Sequence, residues 1–297
     1  MMNLLEWIVT IIIMMEFLLG NFVNIFIILV NASDCMKRRK VSSADRIITA
    51  LAVSRTGILW AMLMNWHSAV FTTDIYSVQK RVWCRIIWEV NNHFSNWFGT
   101  ILSMFYLFKI ANFSNPLFLH LKRKTEKVLL IIFLGTFLFL VSYVGMINIS
   151  KIAWVSDYEG NVTLKNKPLK DITGLANLHL FGMINIIPLC ISLTCVLLLI
   201  YSLGKHLRNM KYHGKGCQDT STTVHIKALK TVVSFLLLYA TYSFCVVIAG
   251  WSLYNTRVFL FSITIGAVYP TGHSFILIWG NQKLKQALQL FLKQVRC

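Results

Sequence analysis

Asn92-His-Phe-Ser-Asn-Trp97, followed by Phe105-Tyr-Leu-Phe-Lys-Ile-Ala-Asn-Phe-Ser114, decides how this chain is read. Both strings lie between Trp83 and Leu121, in a mostly apolar helix with an uneven load. Trp88, Glu89 and Asn92 stand near one end, and Lys109 with a basic loop stands at the other. Polar and aromatic groups in the outer half of such a helix point to a ligand cavity. A lysine at the inner end points to a docking site for a cytoplasmic partner.

Composition fixes the setting of that helix. Of 297 residues, 56% are hydrophobic and 13% charged, whereas a soluble protein carries about a quarter charged residues. A net charge of +18 fits nucleic acid only where basic residues share a soluble face. Here they form short runs between apolar stretches, so a nucleic-acid partner is excluded and the lipid bilayer is the medium. The seven cysteines show no C-x-x-C spacing, which argues against a zinc or redox site.

A bilayer core of about 30 Å needs roughly 20 apolar residues per helix. Seven stretches qualify, at about 7–30, 47–68, 85–110, 127–149, 177–203, 228–251 and 258–280. The expected fold is therefore an all-α membrane protein, one seven-helix transmembrane domain over residues 1–297. The first stretch is too long for a signal-peptide core and is followed by Lys37-Arg-Arg-Lys40, so it reads as an uncleaved helix with its N-terminus outside. Loops after helices one, three and five, the helix ends beside them (Lys109, Lys127, Lys230) and the tail hold about twenty of the 29 Lys and Arg residues, which puts the C-terminus in the cytoplasm. Beyond helix seven, Leu284, Leu288 and Leu292 recur every four residues between lysines. That spacing predicts a short amphipathic helix lying on the inner leaflet.

Charges inside spans are costly unless paired, and three stand out: Glu16, Arg55 and Glu89. Arg55 reads as a clamp between helices, with Asn21, Asn24, His273 and Ser274 as partners. Trp88 and Asn92 are four residues apart and share a face, which Arg85 and Asn96 continue. Glu89 stands beside them, and Trp66, Tyr239, Tyr242 and Trp251 supply aromatic walls. The expected ligand-binding set is Trp66, Trp88, Glu89, Asn92, Asn96, Tyr239 and Tyr242. Of four N-x-Ser/Thr triplets, Asn161-Val-Thr163 alone falls well within an outer loop and is the glycosylation candidate. Asn31, Asn112 and Asn148 lie inside or too near a helix end.

No nucleophile elbow, P-loop or His-Glu-x-x-His string is present. The seventh span has no lysine for a retinal Schiff base, so neither an enzyme nor a cofactor is expected.

The motifs narrow the class. Helix three has Phe105-Tyr-Leu-Phe-Lys109 where a rhodopsin-like receptor has Asp-Arg-Tyr. Helix seven has His273-Ser-Phe-Ile-Leu-Ile278 where such a receptor has Asn-Pro-x-x-Tyr. With Leu51-Ala-Val-Ser-Arg55, Leu199-Ile-Tyr-Ser-Leu-Gly-Lys-His206, His225-Ile-Lys-Ala-Leu-Lys230 and Asn281-x-Lys-Leu-Lys-Gln286, the chain resembles the bitter taste receptors, a family of G-protein-coupled receptors. The resemblance spans nearly the whole chain in order. It implies a plasma-membrane sensor of small bitter agonists that couples to a heterotrimeric, gustducin-like G protein. It also implies that Lys109, Lys122 and His206 face that G protein, and that Asn161 is the family's second-loop glycan site. Cys84 opens helix three, but the loop from Ser150 to Leu178 has no cysteine, so the rhodopsin-like bridge is not expected. The rival from another class is a secondary transporter using Glu16, Arg55 and Glu89. It calls for broken helices or a pseudo-symmetric repeat, and no repeat is visible. A ligand-free membrane scaffold is the third alternative.

Overall fold

The computed structural model describes residues 4–38, 41–71, 78–159, 167–212, 220–251 and 255–296. Among them there is no strand, and nine helices follow in order: α1 (Leu4–Met36), α2 (Ser43–Phe71), α3 (Val78–Ile110), α4 (Pro116–Arg123), α5 (Thr125–Glu159), α6 (Lys167–Tyr212), α7 (Thr220–Trp251), α8 (Thr256–Gly280) and α9 (Gln282–Arg296). Most helices outrun the predicted spans; α6 covers 46 residues against the predicted 177–203. Hydropathy marks the part of a helix that sits in hydrocarbon. The backbone ladder, once nucleated, continues into the headgroup region at little cost.

Six helices are apolar enough over their length to cross a membrane, and α3 is not among them. The sequence predicted seven such runs, so the difference lies in α3 alone. Its 33 residues span about 50 Å at 1.5 Å each, ample for a crossing. Its outer half is too polar because α3 is enclosed, touching α2, α5, α6 and α7. Glu89, Asn92, His93, Ser95 and Asn96 are all buried. Lipid is met instead by the other helices, through residues such as Leu18, Leu29, Leu134, Leu138, Leu197, Phe244 and Ile265.

Two glycines let the helices close on α3. A Cβ at Gly57 on α2 would collide with the Asn91 side chain, and one at Gly99 on α3 would collide with the Phe235 ring of α7. Small residues at such crossings allow close backbone approach in membranes. Two apolar cores fill the half of the bundle nearer Lys109. One gathers Phe105, Phe108, Leu129, Leu199 and Val232; the other gathers Val23, Ile27, Leu51, Leu102, Leu277 and Leu284. A third core joins Met62, Trp66, Phe235, Tyr239, Tyr242 and Tyr269.

The end of the bundle that carries Lys109 holds an element the sequence did not reveal. Asn115 caps α4, its side chain accepting from the amides of Leu117 at 2.8 Å and Phe118 at 3.4 Å, with Pro116 at the first helical position. Its eight residues are too few for a periodicity signal. Asn281 ends α8 through its amide to Leu277 O (3.0 Å) and starts α9 through its side chain, which accepts from Lys283 N at 3.0 Å. Lys283 then fastens α9: its ammonium reaches Asp34 Oδ2 at 2.8 Å, Asn31 Oδ1 at 2.8 Å and Asp45 Oδ2 at 3.4 Å. Phe291 packs tilted against Phe22 and Phe26 of α1.

Candidate functional site

Asn92 and Asn96 are one turn apart on α3 and point the same way. Asn96 Nδ2 donates to Asn92 Oδ1 at 3.2 Å, and both side-chain amides donate to Asn185 Oδ1 on α6, at 3.2 and 3.1 Å. Tyr242 on α7 donates its hydroxyl to Asn92 Oδ1 at 2.9 Å. Tyr239, one turn inward, donates to the Asn185 carbonyl at 2.7 Å. A single polar node thus joins α3, α6 and α7. One turn further, Thr100 bonds Ser192 at 2.9 Å and the Pro188 carbonyl at 3.2 Å. Buried amides need partners, and here they find them on neighbouring helices.

The aromatic walls meet at this node. Trp66, Tyr239 and Tyr242 belong to one buried core, with Trp88 packed half-buried against it. The rings of Tyr242 and Tyr269 stack at 5.0 Å. Glu89 turns toward α5, where Tyr143 donates to its Oε1 at 2.7 Å. Arg85 Nε lies 3.8 Å from the same oxygen, with 53% of its side chain exposed. Of the expected ligand set, Asn92, Asn96, Tyr239 and Tyr242 share one hydrogen-bonded node, Trp66 and Trp88 adjoin it, and Glu89 stands one turn outward. Trp251's side chain lies outside the described residues.

The chain brings in Asn185, Tyr143 and His93, which sequence reasoning had not singled out. Asn185 carried the signal used for Asn92, an amide inside an apolar run. Tyr143 carried none, because tyrosine in a membrane helix is unremarkable until a carboxylate faces it.

The clamp forms a separate cluster. Arg55, fully buried, donates to Ser274 Oγ at 3.0 Å and contacts His273 Nδ1; Ser274 in turn donates to Asn24 Oδ1 at 2.7 Å. Its guanidinium lies 5.2 Å from the Tyr269 ring. Among the described residues no carboxylate pairs with it. Asn21 stays outside this network, its amide bonded to the Phe17 carbonyl at 2.8 Å.

At the C-terminal end of α3 Lys109 is exposed, its ammonium 5.5 Å from the Phe105 ring. Lys122 is engaged: it donates to Ala111 O at 2.7 Å and Asn112 Oδ1 at 2.8 Å, closing the C-terminal end of α3. The side chain of His206, on α6, and the whole of Asn161 lie outside the described residues. Asn31 is buried against Thr49 and Lys283, which removes it as a glycan acceptor.

With this geometry, a seven-helix bundle organised around a polar third helix, the comparisons with known proteins agree. Residues 1–296 match the family described as taste receptor protein (TAS2R). Taste receptor type 2 member 120 of Mus musculus is 70% identical over 296 residues, covering 100% of both chains. The Rattus norvegicus member 120 is 69% identical over the same length. Taste receptor type 2 member 31 of Homo sapiens is 51% identical over 283 residues, 94% of this chain and 91% of that one. This chain belongs to the type 2 taste receptors, seven-helix multi-pass membrane receptors that signal and do not catalyse.

Proposed function

We propose that this bitter taste receptor takes its agonists in the outer half of the bundle, against Trp66, Trp88, Glu89, Asn92, Asn96, Tyr239 and Tyr242. The observation that carries this reading is the Asn92–Asn96–Asn185–Tyr242 node. A ligand that competes for these amides acts on three helices at once, and those helices continue to the inner face. Trp88 and Lys109 are about 20 residues apart, or roughly 30 Å of helix, so the signal passes by helix movement. An agonist that moves the receptor from 1:99 to 99:1 active needs about 5.5 kcal/mol of differential affinity.

Lys109, Lys122 and His206 mark the surface for a gustducin-like G protein, with Lys122 acting through the α3–α4 corner it holds. The receptor sits in the plasma membrane, N-terminus outside and C-terminus in the cytoplasm, as a single seven-helix domain, and Asn161 carries an outer glycan. Asn24, Arg55, His273 and Ser274 hold the bundle together.

The test is calcium release from cells expressing the full chain with a gustducin-like chimeric G protein, challenged with a panel of bitter compounds. A response that disappears without the chimera supports the assignment. Agonist-driven responses that persist without it point to another transducer, and solute uptake with no response points to a transporter. Loss of a glycosidase-sensitive mobility shift in Asn161→Gln tests the glycan and the outward orientation of its loop.

A further inference from the structure

We propose that Glu89 is an ammonium subsite: agonists bearing a protonated amine place it against the second oxygen of this carboxylate. The inference rests on the pocket assignment above and names the ligand class that pocket favours. Glu89 is 2% exposed, and its two oxygens differ. Oε1 receives the Tyr143 hydroxyl and lies near Arg85, whereas Oε2 has no hydrogen-bond partner. A carboxylate offers about four acceptor sites, and one inside a membrane is costly until they are answered. Arg85 answers weakly, since its contact is long and its half-exposed side chain is screened by solvent.

The same helix face repeats the pattern inward. His93 and Asn96 follow Glu89 by four and seven residues, the spacing of one face. Neither ring nitrogen of His93 is bonded, and Asn96 Oδ1 is unpartnered although its amide nitrogen is engaged. Two of these three side chains present bare acceptors, and a neutral imidazole adds one acceptor and one N–H donor. A further unpartnered donor, Trp97 Nε1, lies about 12 Å along the axis from Glu89. Unanswered acceptors thus outnumber donors beside Glu89, which favours a ligand group that brings donors and no acceptor. An ammonium meets that description, with three N–H groups and no lone pair. A carboxylate ligand is repelled, and an alcohol or ketone brings a lone pair to a surface already rich in them.

The experiment pairs each aromatic amine with its uncharged alcohol, tryptamine with tryptophol and 2-phenylethylamine with 2-phenylethanol, in calcium-release assays on the full-length receptor. The readout is the amine-to-alcohol potency ratio, which surface expression does not move. The expected result is a ratio above 10 in the parent. Glu89→Gln should bring it to about 1, by weakening the amines and leaving the alcohols within about twofold; Glu89→Asp should give an intermediate value. Equal potencies in the parent, or a parallel fall of amine and alcohol in Glu89→Gln, overturn the proposal and leave Glu89 as the structural acceptor of Tyr143. Thermal stability of the purified parent receptor is the second measurement, needed where Glu89→Gln fails to reach the surface or no pair signals. Stabilisation by tryptamine and not by tryptophol supports the subsite, and equal or absent stabilisation overturns it. Because receptor identity is judged by whether any bitter compound signals through the G protein, the two readings fail separately.

Discussion

The buried cluster around Arg55 and the one around Glu89 and Asn96 are left with opposite remainders. At the first, the bonds made by Arg55 leave over its Nε, the Tyr269 hydroxyl and His273 Nε2. An arginine only donates, so His273 accepts at Nδ1 and carries its proton on Nε2. That remainder is rich in donors. At the second, the remainder is Glu89 Oε2, Asn96 Oδ1 and the His93 ring, rich in acceptors. The clusters also differ in reach. Arg55 joins the first helices to the last, across 219 residues to Ser274, and holds the bundle closed with neutral partners. The α3 node joins helices in the middle of the chain through amides that a ligand can replace. Burial of polar groups alone does not separate the Arg55 clamp from the proposed binding site; the kind of atom left over distinguishes the two clusters.

The largest effect that would break this contrast is expected at Arg55. Arg55→Ala removes a buried charged donor, worth about 1.5–3 kcal/mol per hydrogen bond. It should abolish most surface expression and lower the unfolding temperature of solubilised receptor. Arg55→Lys should rescue little, since an ammonium lacks the guanidinium's fork. Normal thermal stability in Arg55→Ala would move Arg55 from the clamp to the functional side.

Trp88→Ala comes next. Agonist potency should fall tenfold or more, equivalent to about 1.4 kcal/mol, with surface staining unchanged. Unaltered potency would make Trp88 a packing residue. A smaller and more diagnostic effect is expected at Asn185. Asn185→Ala should cost about 1 kcal/mol in stability and shift potency severalfold. Combined with Asn96→Ala it should show clear non-additivity, since Asn96 Nδ2 donates directly to Asn185 Oδ1. Additive losses would separate the two residues.

The smallest change is expected outside both clusters. Lys283→Ala unfastens α9 from Asp34 and Asp45, but the lysine is 32% exposed. The loss should be about 1 kcal/mol or less and should shrink further in high salt. A salt-independent loss would mean that α9 is held chiefly by Leu284 and Phe291.

Much of this was legible in the sequence, for identifiable reasons. Apolar runs located the crossings because lipid leaves a helix few alternatives. Arg55 with Asn24, His273 and Ser274 could be grouped because a charge in hydrocarbon must find polar company. The polarity that singled out α3 for function is also what drops it below the level of an apolar span. Asn185 and Tyr143 were missed as partners, since their roles depend on which helix faces which. Lys122 reads as facing the G protein and Lys283 as one lysine of the amphipathic tail. Only the fold shows that one closes α3 and the other ties down α9.

The polarity of α3 also bears on how the chain is made. A charged residue at the centre of a membrane helix costs about 2.5–3.5 kcal/mol on insertion scales, and α3 adds Asn92, His93 and Asn96 to Glu89. Its partners arrive late: Asn185 follows Asn92 by 93 residues and Tyr242 by 150. At a synthesis rate of about 5–20 residues per second, α3 waits roughly 8–30 s in the membrane before Tyr242 has been added. During that interval it must be sheltered by α1 and α2 or by the insertion machinery. The yield of receptor at the cell surface is then set by how slowly a half-finished bundle lets α3 slip back out.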